Sequence, residues 1–208
     1  ARMLTTLAHS IHDLISAEKS AALNGTIPIF PTLRIESTTI AEFDIMDKKP
    51  TIIQVVGKGA ATYHNASGRT ISIFDYENFV NNLHPILQKN ERRPDFIAID
   101  NNASKIVINE LSTGNPKSKK SDAIYQMNHL VQLLKRSLIW KNIVAIPEKE
   151  CVFSCRQNFA STPQNTSGKG MADSFGTIQT LLAGPIELKF QPITKAGFKL
   201  YQSDCINF

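Results

Sequence analysis

Cysteine is scarce in this sequence, which contains only Cys151, Cys155 and Cys205 among 208 residues. No second cysteine pair or histidine pair accompanies Cys151 and Cys155 at zinc-finger spacing, so a structural zinc site of that kind is not indicated. A low, odd number of cysteines favours a reducing cytoplasm over a disulfide-bonded secreted protein. We expect Cys151 and Cys155 to be buried thiols in a strand and the turn after it.

The sequence patterns of several large enzyme classes are also missing. The chain has no glycine-rich phosphate loop of the P-loop or dinucleotide type, no nucleophile-elbow serine motif and no paired Cys/His arrangement. Kinase, hydrolase and oxidoreductase classes built on these motifs therefore have no positive support. No apolar run approaches the length of a membrane span, and the first residues lack the apolar segment of a signal peptide. We therefore expect a cytoplasmic protein with no membrane association.

The composition is that of a globular domain with a moderate basic excess. With 208 residues, of which 42% are hydrophobic, the chain can bury one sizeable core, and a single domain over 1–208 is the simplest organisation. The formal net charge is +5. Lysine and arginine cluster at 89–93, 117–120 and 135–141. This balance permits binding to a polyanion such as nucleic acid.

The segment 93–126 is the centre of the functional prediction. Two short runs of β-favouring side chains, 96–99 and 106–108, flank a polar turn at 101–104, which predicts an antiparallel hairpin. Pairing of the two strands would bring Glu110, near the end of the second strand, beside Asp95, at the start of the first. The sequence therefore predicts a pair of carboxylates at a strand edge.

Two neighbouring carboxylates repel each other unless a cation shares them or one of them is protonated. A hard divalent cation with oxygen ligands relieves that repulsion, and few protein ligands of this kind suit Mg²⁺. The alternative is that Asp95 caps a turn and Glu110 faces water at the end of a strand.

Periodicity predicts the elements around this hairpin. Apolar spacing indicates helices over 4–23, 76–90 and 122–138, with Asp75 as the cap of the second. β-favouring runs predict strands over 51–56 and 142–147, and a hairpin of 60–64 with 70–74. The buried faces of the second and third helices are expected to be formed by Phe79, Leu83, Ile86 and Leu87, and by Ile124, Met127, Val131, Leu134 and Leu138.

Two polar segments are candidates for contact with nucleic acid. The run 117–120 leads into the third predicted helix, where lysines and helix N–H groups would attract a phosphodiester backbone. A solvated charged loop is the alternative. The segment 156–176 is long, rich in amide and hydroxyl side chains, and carries Arg156 and Lys169. Loops of this length are usually functional or disordered, and we expect one that faces DNA and orders on binding.

The motif residues resemble a known nuclease superfamily. Pro94-Asp95, Glu110-Leu111-Ser112 fifteen residues later, Thr113-Gly114-Asn115 and a helix carrying Tyr125-Gln126 resemble the pattern of the PD-(D/E)xK nucleases. Within that superfamily, the chain is most similar to type II restriction endonucleases of the BamHI and BglII kind. Ser112 stands where the superfamily pattern has lysine, and that branch also replaces the lysine. The resemblance covers about residues 75–150.

The resemblance implies an α/β fold in which a mixed central β-sheet is flanked by helices as an αβββαβ core. It also implies a Mg²⁺-dependent endonuclease that cleaves double-stranded DNA, and a homodimer, because palindromic sites require two-fold symmetry. The expected catalytic positions are Asp95, Glu110 and Ser112, with Asp95, Glu110 and Glu77 as metal ligands. The residues expected to contact DNA are Asn115, Lys117, Lys119 and Lys120.

The sequence leaves two alternatives open. A nuclease of the same fold could act in repair, in transposition or on RNA. A catalytically silent nucleic-acid-binding domain is the other alternative, because serine at 112 supplies no positive charge. In an active enzyme, Lys105, Lys119 or Lys120 would replace the missing lysine, or a second metal ion would make it unnecessary.

Overall fold

The structure, a computed structural model, describes residues 1–47, 51–112, 116–156 and 184–208. The helices in this part of the chain are α1 (Arg2–Glu18), α2 (Tyr76–Leu83), α3 (Pro85–Asn90), α4 (Pro116–Arg136), α5 (Trp140–Val144) and α6 (Gln191–Thr194). Its strands are β1 (Ile35–Thr38), β2 (Glu42–Ile45), β3 (Ile52–Ile53), β4 (Ala61–His64), β5 (Ile71–Asp75), β6 (Phe96–Asp100), β7 (Lys105–Leu111), β8 (Glu148–Ser154), β9 (Ile186–Glu187), β10 (Lys199–Gln202) and β11 (Cys205–Asn207).

The strands form two sheets. A seven-stranded sheet has the order β1-β5-β6-β7-β8-β10-β9, and a four-stranded sheet has the order β11-β4-β2-β3. In the larger sheet β8 is parallel to β7 and to β10, whereas the other neighbouring pairs are antiparallel. The predicted α/β class with a mixed central sheet flanked by helices is therefore confirmed. The four-stranded sheet is an addition that the sequence did not indicate.

The large sheet has an apolar core on each face. One core contains side chains of α1, α2 and α4 together with Ile97, Ile99, Ile106 and Ile108. The other core lies between the two sheets and contains alternate residues of the same strands, such as Ala98 and Val107, with Phe43 and Tyr63. Because successive side chains of a strand point to opposite faces, β6 and β7 contribute to both cores.

The elements of the expected αβββαβ core occur in that order along the chain as α1, β5, β6, β7, α4 and β8. Strands β5, β6 and β7 form an antiparallel meander, and β8 joins β7 in parallel after the helical crossover. Strands β1 to β4 precede this meander, and α2 and α3 lie between its first two strands. The hairpin β6–β7 predicted from the two apolar runs is confirmed.

The predicted hairpin of 60–64 with 70–74 is wrong, because β4 belongs to the small sheet and β5 to the large one. The Asn65 side chain binds both the N–H and the carbonyl of Arg69, at 3.2 and 2.7 Å, and the Gly68 N–H donates to the Asn65 carbonyl at 3.1 Å, so Asn65 organises the connecting turn. Tyr63 and Ile73 then meet in the core between the sheets. Both strands contribute an apolar face to this one core, so the chain passes from one sheet to the other between them.

The predicted strands over 142–147 and 51–56 also differ from the observed elements. Residues 140–144 form α5, and β8 begins only at Glu148, after Pro147, with Ile143 buried against the helical core. Within 51–56 only Ile52–Ile53 is a strand. The carboxylate of Asp44 accepts the N–H groups of Gly57 and Gly59, each at 2.7 Å, which turns the chain back after this short strand.

The predicted helices have different ends from those observed. Asp75 caps α2 as expected, but Pro85 starts a separate helix, since proline cannot donate the hydrogen bond of a continuing helix. Ile86 is therefore 37% exposed, and Leu138 is 86% exposed because α4 has ended at Arg136. Helix α4 also begins earlier than predicted, at Pro116, so the lysine run lies inside its first turns. Helix α1 ends at Glu18.

Cys151 and Cys155 are buried, as predicted, and Cys205 is exposed. Among residues 1–47, 51–112, 116–156 and 184–208, no helix has both the length and the apolar character needed to cross a membrane.

Candidate metal and nucleic-acid site

The hairpin β6–β7 brings Asp95 and Glu110 together as the sequence predicted. Phe96 pairs with Asn109 in the antiparallel register, so the next residues outward on the two strands are Asp95 and Glu110. The backbone N–H of Asp95 donates to Oε2 of Glu110 at 3.1 Å. The N–H of Leu111 donates to Oδ2 of Asp95 at 2.7 Å. Each carboxylate is thus fixed by the backbone of the opposite strand.

Both carboxylates lie on the helical face of the large sheet. Ile97 and Ile108 belong to the core beneath the helices. Asp95 and Glu110 are each two residues further along the same strands, and alternation places them on the same face. Asp95 is 9% exposed and Glu110 is half-buried. The acidic pair is therefore at the edge of the main core, where the strands end.

The start of α2 brings Glu77 to the pair. The N–H groups of Tyr76 and Glu77 donate to the carbonyl of Asp95, at 2.9 and 3.2 Å. Asp75 caps the same helix, because its Oδ1 accepts from the N–H of Asn78 at 2.9 Å. This bonding explains why Glu77, eighteen residues before Asp95 in the sequence, lies beside it in space.

Asp47 also belongs to the site, although it was not among the residues predicted from the sequence. Carboxylate oxygens of Asp47, Glu77 and Asp95 lie within 4.8 Å of one another. Asp47 follows β2 of the small sheet, so its position depends on how the two sheets pack. Glu36 of β1 helps to hold the two sheets together. Its carboxylate accepts hydrogen bonds from the N–H groups of Thr51 and Ile52, at 2.9 and 3.0 Å, which ties β3 to the large sheet. No spacing in the sequence signals this approach.

The pKa values show the electrostatic state of the cluster. Burial raises the pKa of Asp95; the hydrogen bond from Leu111 opposes this, and the charges of Asp47 and Glu77 add to it. Burial and the charge of Asp95 raise the pKa of Glu110. Burial and the charge of Asp47 raise that of Glu77. The folded chain therefore holds carboxylates together at a cost in free energy, which a bound cation would remove.

The donor set fits a hard divalent cation. All donors are carboxylate oxygens, which Mg²⁺ and Ca²⁺ prefer. Ligand oxygens around one Mg²⁺ are about 3–4 Å apart, close to the spacing of Asp47, Glu77 and Asp95. Two of the three predicted ligands, Asp95 and Glu77, belong to this group. Glu110 lies outside it and faces Asp95 from the neighbouring strand.

Ser112 continues β7 beyond Glu110. Its N–H donates to the carbonyl of Ser154 on β8 at 2.8 Å. Its side chain hydrogen bonds with the Cys155 thiol; burial raises the pKa of Cys155 more than this bond lowers it. The lysine position of the resembled pattern is therefore occupied by a small side chain that binds a neighbouring thiol.

Lys105 does not replace the missing lysine. It lies five residues before Glu110 on β7, about 17 Å along the strand, and on the opposite face. Its ammonium binds Glu150 of β8 at 2.8 Å. Arg93 is a cation that the structure places against the cluster, with its Nε 3.8 Å from Oε1 of Glu77.

Three of the four predicted DNA-binding residues are at the start of α4. Lys117 and Lys119 are exposed and Lys120 is half-buried in the first two turns. Lys117 is five positions after Ser112 in the chain, which limits their Cα separation to about 18 Å. Asn115 and the part of the polar segment from 157 to 176, including Lys169, lie outside the described residues. Arg156 is described, and it binds Asp44 in the small sheet at 2.8 Å, so it is an internal ion pair.

Comparison with protein-family models, with curated proteins and with solved structures finds no match to this chain, so its function is argued from the site itself.

Proposed function

We propose that this protein is a Mg²⁺-dependent endonuclease that cleaves phosphodiester bonds in double-stranded DNA, of the type II restriction kind. The observation that carries the proposal is the pair Asp95 and Glu110 at the end of β6 and β7, with Glu77 and Asp47 beside it. The backbone fixes both carboxylates on one face of the sheet. The resemblance of the motif to the PD-(D/E)xK pattern gives this geometry its interpretation.

Each acidic residue has a role in this proposal. Asp47, Glu77 and Asp95 would hold the cation, which supplies charge stabilisation at the scissile phosphate and lowers the pKa of water. Glu110 orients the attacking water and accepts its proton as the water oxygen bonds to phosphorus and the leaving P–O bond breaks. Burial and the charge of Asp95 raise the pKa of Glu110, and a cation bound to Asp95 would lower it toward the working pH, where a general base is most effective.

The DNA backbone would pass over the first turns of α4. Lys117, Lys119 and Lys120 point to this path because the chain connects them to the end of β7 within a few residues. Phosphate contacts of this kind release counterions and make binding dependent on salt. If the cut site is palindromic, the active form is a homodimer, because each strand then meets one copy of the same site.

A silent nucleic-acid-binding domain is the second candidate, and Ser112 favours it. The side chain at this position carries no charge, and Lys105 is engaged with Glu150 on the other face. In the nuclease proposal, Arg93 at 3.8 Å from Glu77 is the cation best placed to compensate. In the silent domain, the carboxylates would bind a cation without cleavage.

The test is incubation of the protein with long double-stranded DNA, with Mg²⁺ or with chelator, beside Glu110→Gln. This variant keeps the shape of the side chain and an oxygen for the Asp95 N–H, so it removes the charge with little change in the fold. Glu187→Gln is the matched control, because Glu187 is an exposed glutamate on β9.

Discrete fragments that require both Mg²⁺ and Glu110 support a sequence-specific nuclease, whereas a smear indicates a non-specific one. Cleavage of RNA alone would transfer the proposal to the RNA substrate. If neither nucleic acid is cut with any divalent metal, or if Glu110→Gln cuts as well as the unaltered protein, the catalytic proposal is overturned.

A further inference from the structure

A small pocket lies on the outer face of α4, next to the segment that enters β6. It has a volume of about 380 Å³ and is lined by Arg92, Tyr125, Asn128, His129 and Gln132. The four α4 residues follow helical spacing, so they form one stripe, and Arg92 faces this stripe from the strand side. None of the five is a ligand or catalytic residue in the proposed nuclease.

The first wall of the pocket is an arginine and an aromatic ring. The guanidinium carbon of Arg92 is 5.3 Å from the centre of the Tyr125 ring. Tyr125 is 47% exposed, and Phe190 packs against it edge-on at 5.7 Å between ring centres. Guanidinium planes and aromatic faces are the groups on which proteins stack unpaired nucleobases.

The second wall presents hydrogen-bonding groups in a fixed orientation. Nε2 of Gln132 donates to Oδ1 of Asn128 at 3.1 Å, so the two amides orient each other. This bond uses the Asn128 amide oxygen and one Gln132 amide N–H, so the groups that remain for a ligand at the pocket are the Asn128 amide N–H donors and the Gln132 amide oxygen. A donor beside an acceptor matches the edge of a base, and of adenine in particular.

A buried ion network supports the pocket from behind. His129 contacts the carboxylate of Glu91, which also accepts from the ammonium of Lys19 at 2.7 Å. The Glu91 side chain is 1% exposed. Glu91 is adjacent to Arg92 in the chain, so this network fixes both sides of the pocket. His129 and the backbone that leads into Arg92 are therefore anchored by a buried carboxylate.

We propose that this pocket binds one unpaired nucleobase, with adenine favoured, of a nucleic acid strand held at the carboxylate site. The inference rests on the proposed function, which places a nucleic acid strand at Asp95. Arg92 is three residues before Asp95, at most about 10 Å along the chain, so the pocket is near that strand. A volume near the lower limit of about 300–1,000 Å³ for ligand pockets suits a single base better than a larger molecule. In double-stranded DNA, the proposed substrate, this base would be one extruded from the duplex beside the cut.

The test uses a single-stranded oligonucleotide that carries one 2-aminopurine, a fluorescent analogue of adenine, in chelator so that no cleavage occurs. Binding to the unaltered protein should quench the fluorescence by stacking. Tyr125→Leu should weaken binding about 10-fold and abolish the quenching, because stacking on an aromatic side chain is lost. Tyr125→Phe should retain both. Lys135→Ala is the control for general charge, since Lys135 is an exposed cation further along α4.

Asn128→Ala provides an independent check in competition with unlabelled oligonucleotides, because it should reduce the preference for adenine over an abasic position while leaving the Tyr125 ring in place. If Tyr125→Leu and Asn128→Ala bind and quench as the unaltered protein does, the base pocket is wrong even where DNA is cleaved. Quenching that depends on Tyr125 in a protein that cuts no nucleic acid would keep the pocket and overturn only the nuclease proposal.

Discussion

The N–H of Asp95 donates to the carboxylate of Glu110 at 3.1 Å. Both residues lie at the end of the β6–β7 hairpin that is opposite its turn. The N–H of Leu111 in turn donates to the carboxylate of Asp95 at 2.7 Å. This reciprocal bonding holds two acidic groups together where repulsion would separate them. The stability, metal response and nucleic-acid binding of the protein should all reflect that arrangement.

We predict that Glu110→Gln stabilises the protein at neutral pH in chelator, by about 1–3 kcal/mol, the cost of a poorly compensated buried group. The folded pKa of Glu110 is raised above its ordinary value of 4.5, so the folded state binds the proton more tightly than the unfolded state. Stability is therefore lost as the pH rises above 4.5 toward the folded pKa. Urea unfolding at several pH values measures this. The extra stability of Glu110→Gln should vanish below the ordinary glutamate pKa of 4.5, where Glu110 is protonated in both the folded and the unfolded state. If the variant is still more stable than the unaltered protein at pH 3, this explanation is wrong.

We predict that Mg²⁺ or Ca²⁺ raises the thermal unfolding midpoint. A ligand at 100 times its Kd adds about 2.7 kcal/mol to the free energy of unfolding. Asp95→Asn should remove this gain and Glu77→Gln should reduce it, because both contribute oxygens to the group of three. Calorimetry with metal titration provides the measurement, with Glu187→Gln as the control. An undiminished response in Asp95→Asn would place the cation elsewhere.

We predict that Lys119→Ala with Lys120→Ala weakens DNA binding and flattens its salt dependence. Each lost phosphate contact should reduce the slope of log K against log salt by about 0.9. Fluorescence anisotropy at several salt concentrations, in chelator, gives the slope. The control is Lys135→Ala with Lys141→Ala, which removes the same charge from exposed positions in the last turn of α4 and in α5. Equal slopes in the two double variants would show that the first turns of α4 do not contact DNA.

We predict that Arg156→Ala destabilises the fold by about 3–5 kcal/mol, the usual cost of removing one partner of a buried ion pair. Arg156 binds Asp44 at 2.8 Å, and the Asp44 side chain is fully buried. Arg136→Ala is the matched control, because its pair with Glu18 is largely exposed and should contribute at most about 1 kcal/mol. Urea unfolding compares the two, and equal losses would contradict the buried role of Arg156.

Local patterns in the sequence determined the centre of the site. The runs 96–99 and 106–108, with a polar turn between them, specify a hairpin because β-favouring side chains and turn residues act over a few positions. Pairing register then places Glu110 opposite Asp95 without further information. Asp75 similarly predicts where α2 begins, and with it the position of Glu77 on the first turn.

The tertiary structure alone decided the rest. Strands β4 and β5 look like hairpin partners, but each has an apolar face, and burying both faces against each other places them in different sheets. That packing brings Asp47, at the end of β2, to Glu77 and Asp95. The pocket of Arg92 and Tyr125 likewise joins two segments distant in the chain. Contacts across such sequence separations depend on how whole faces are buried, and no local spacing of residues records them.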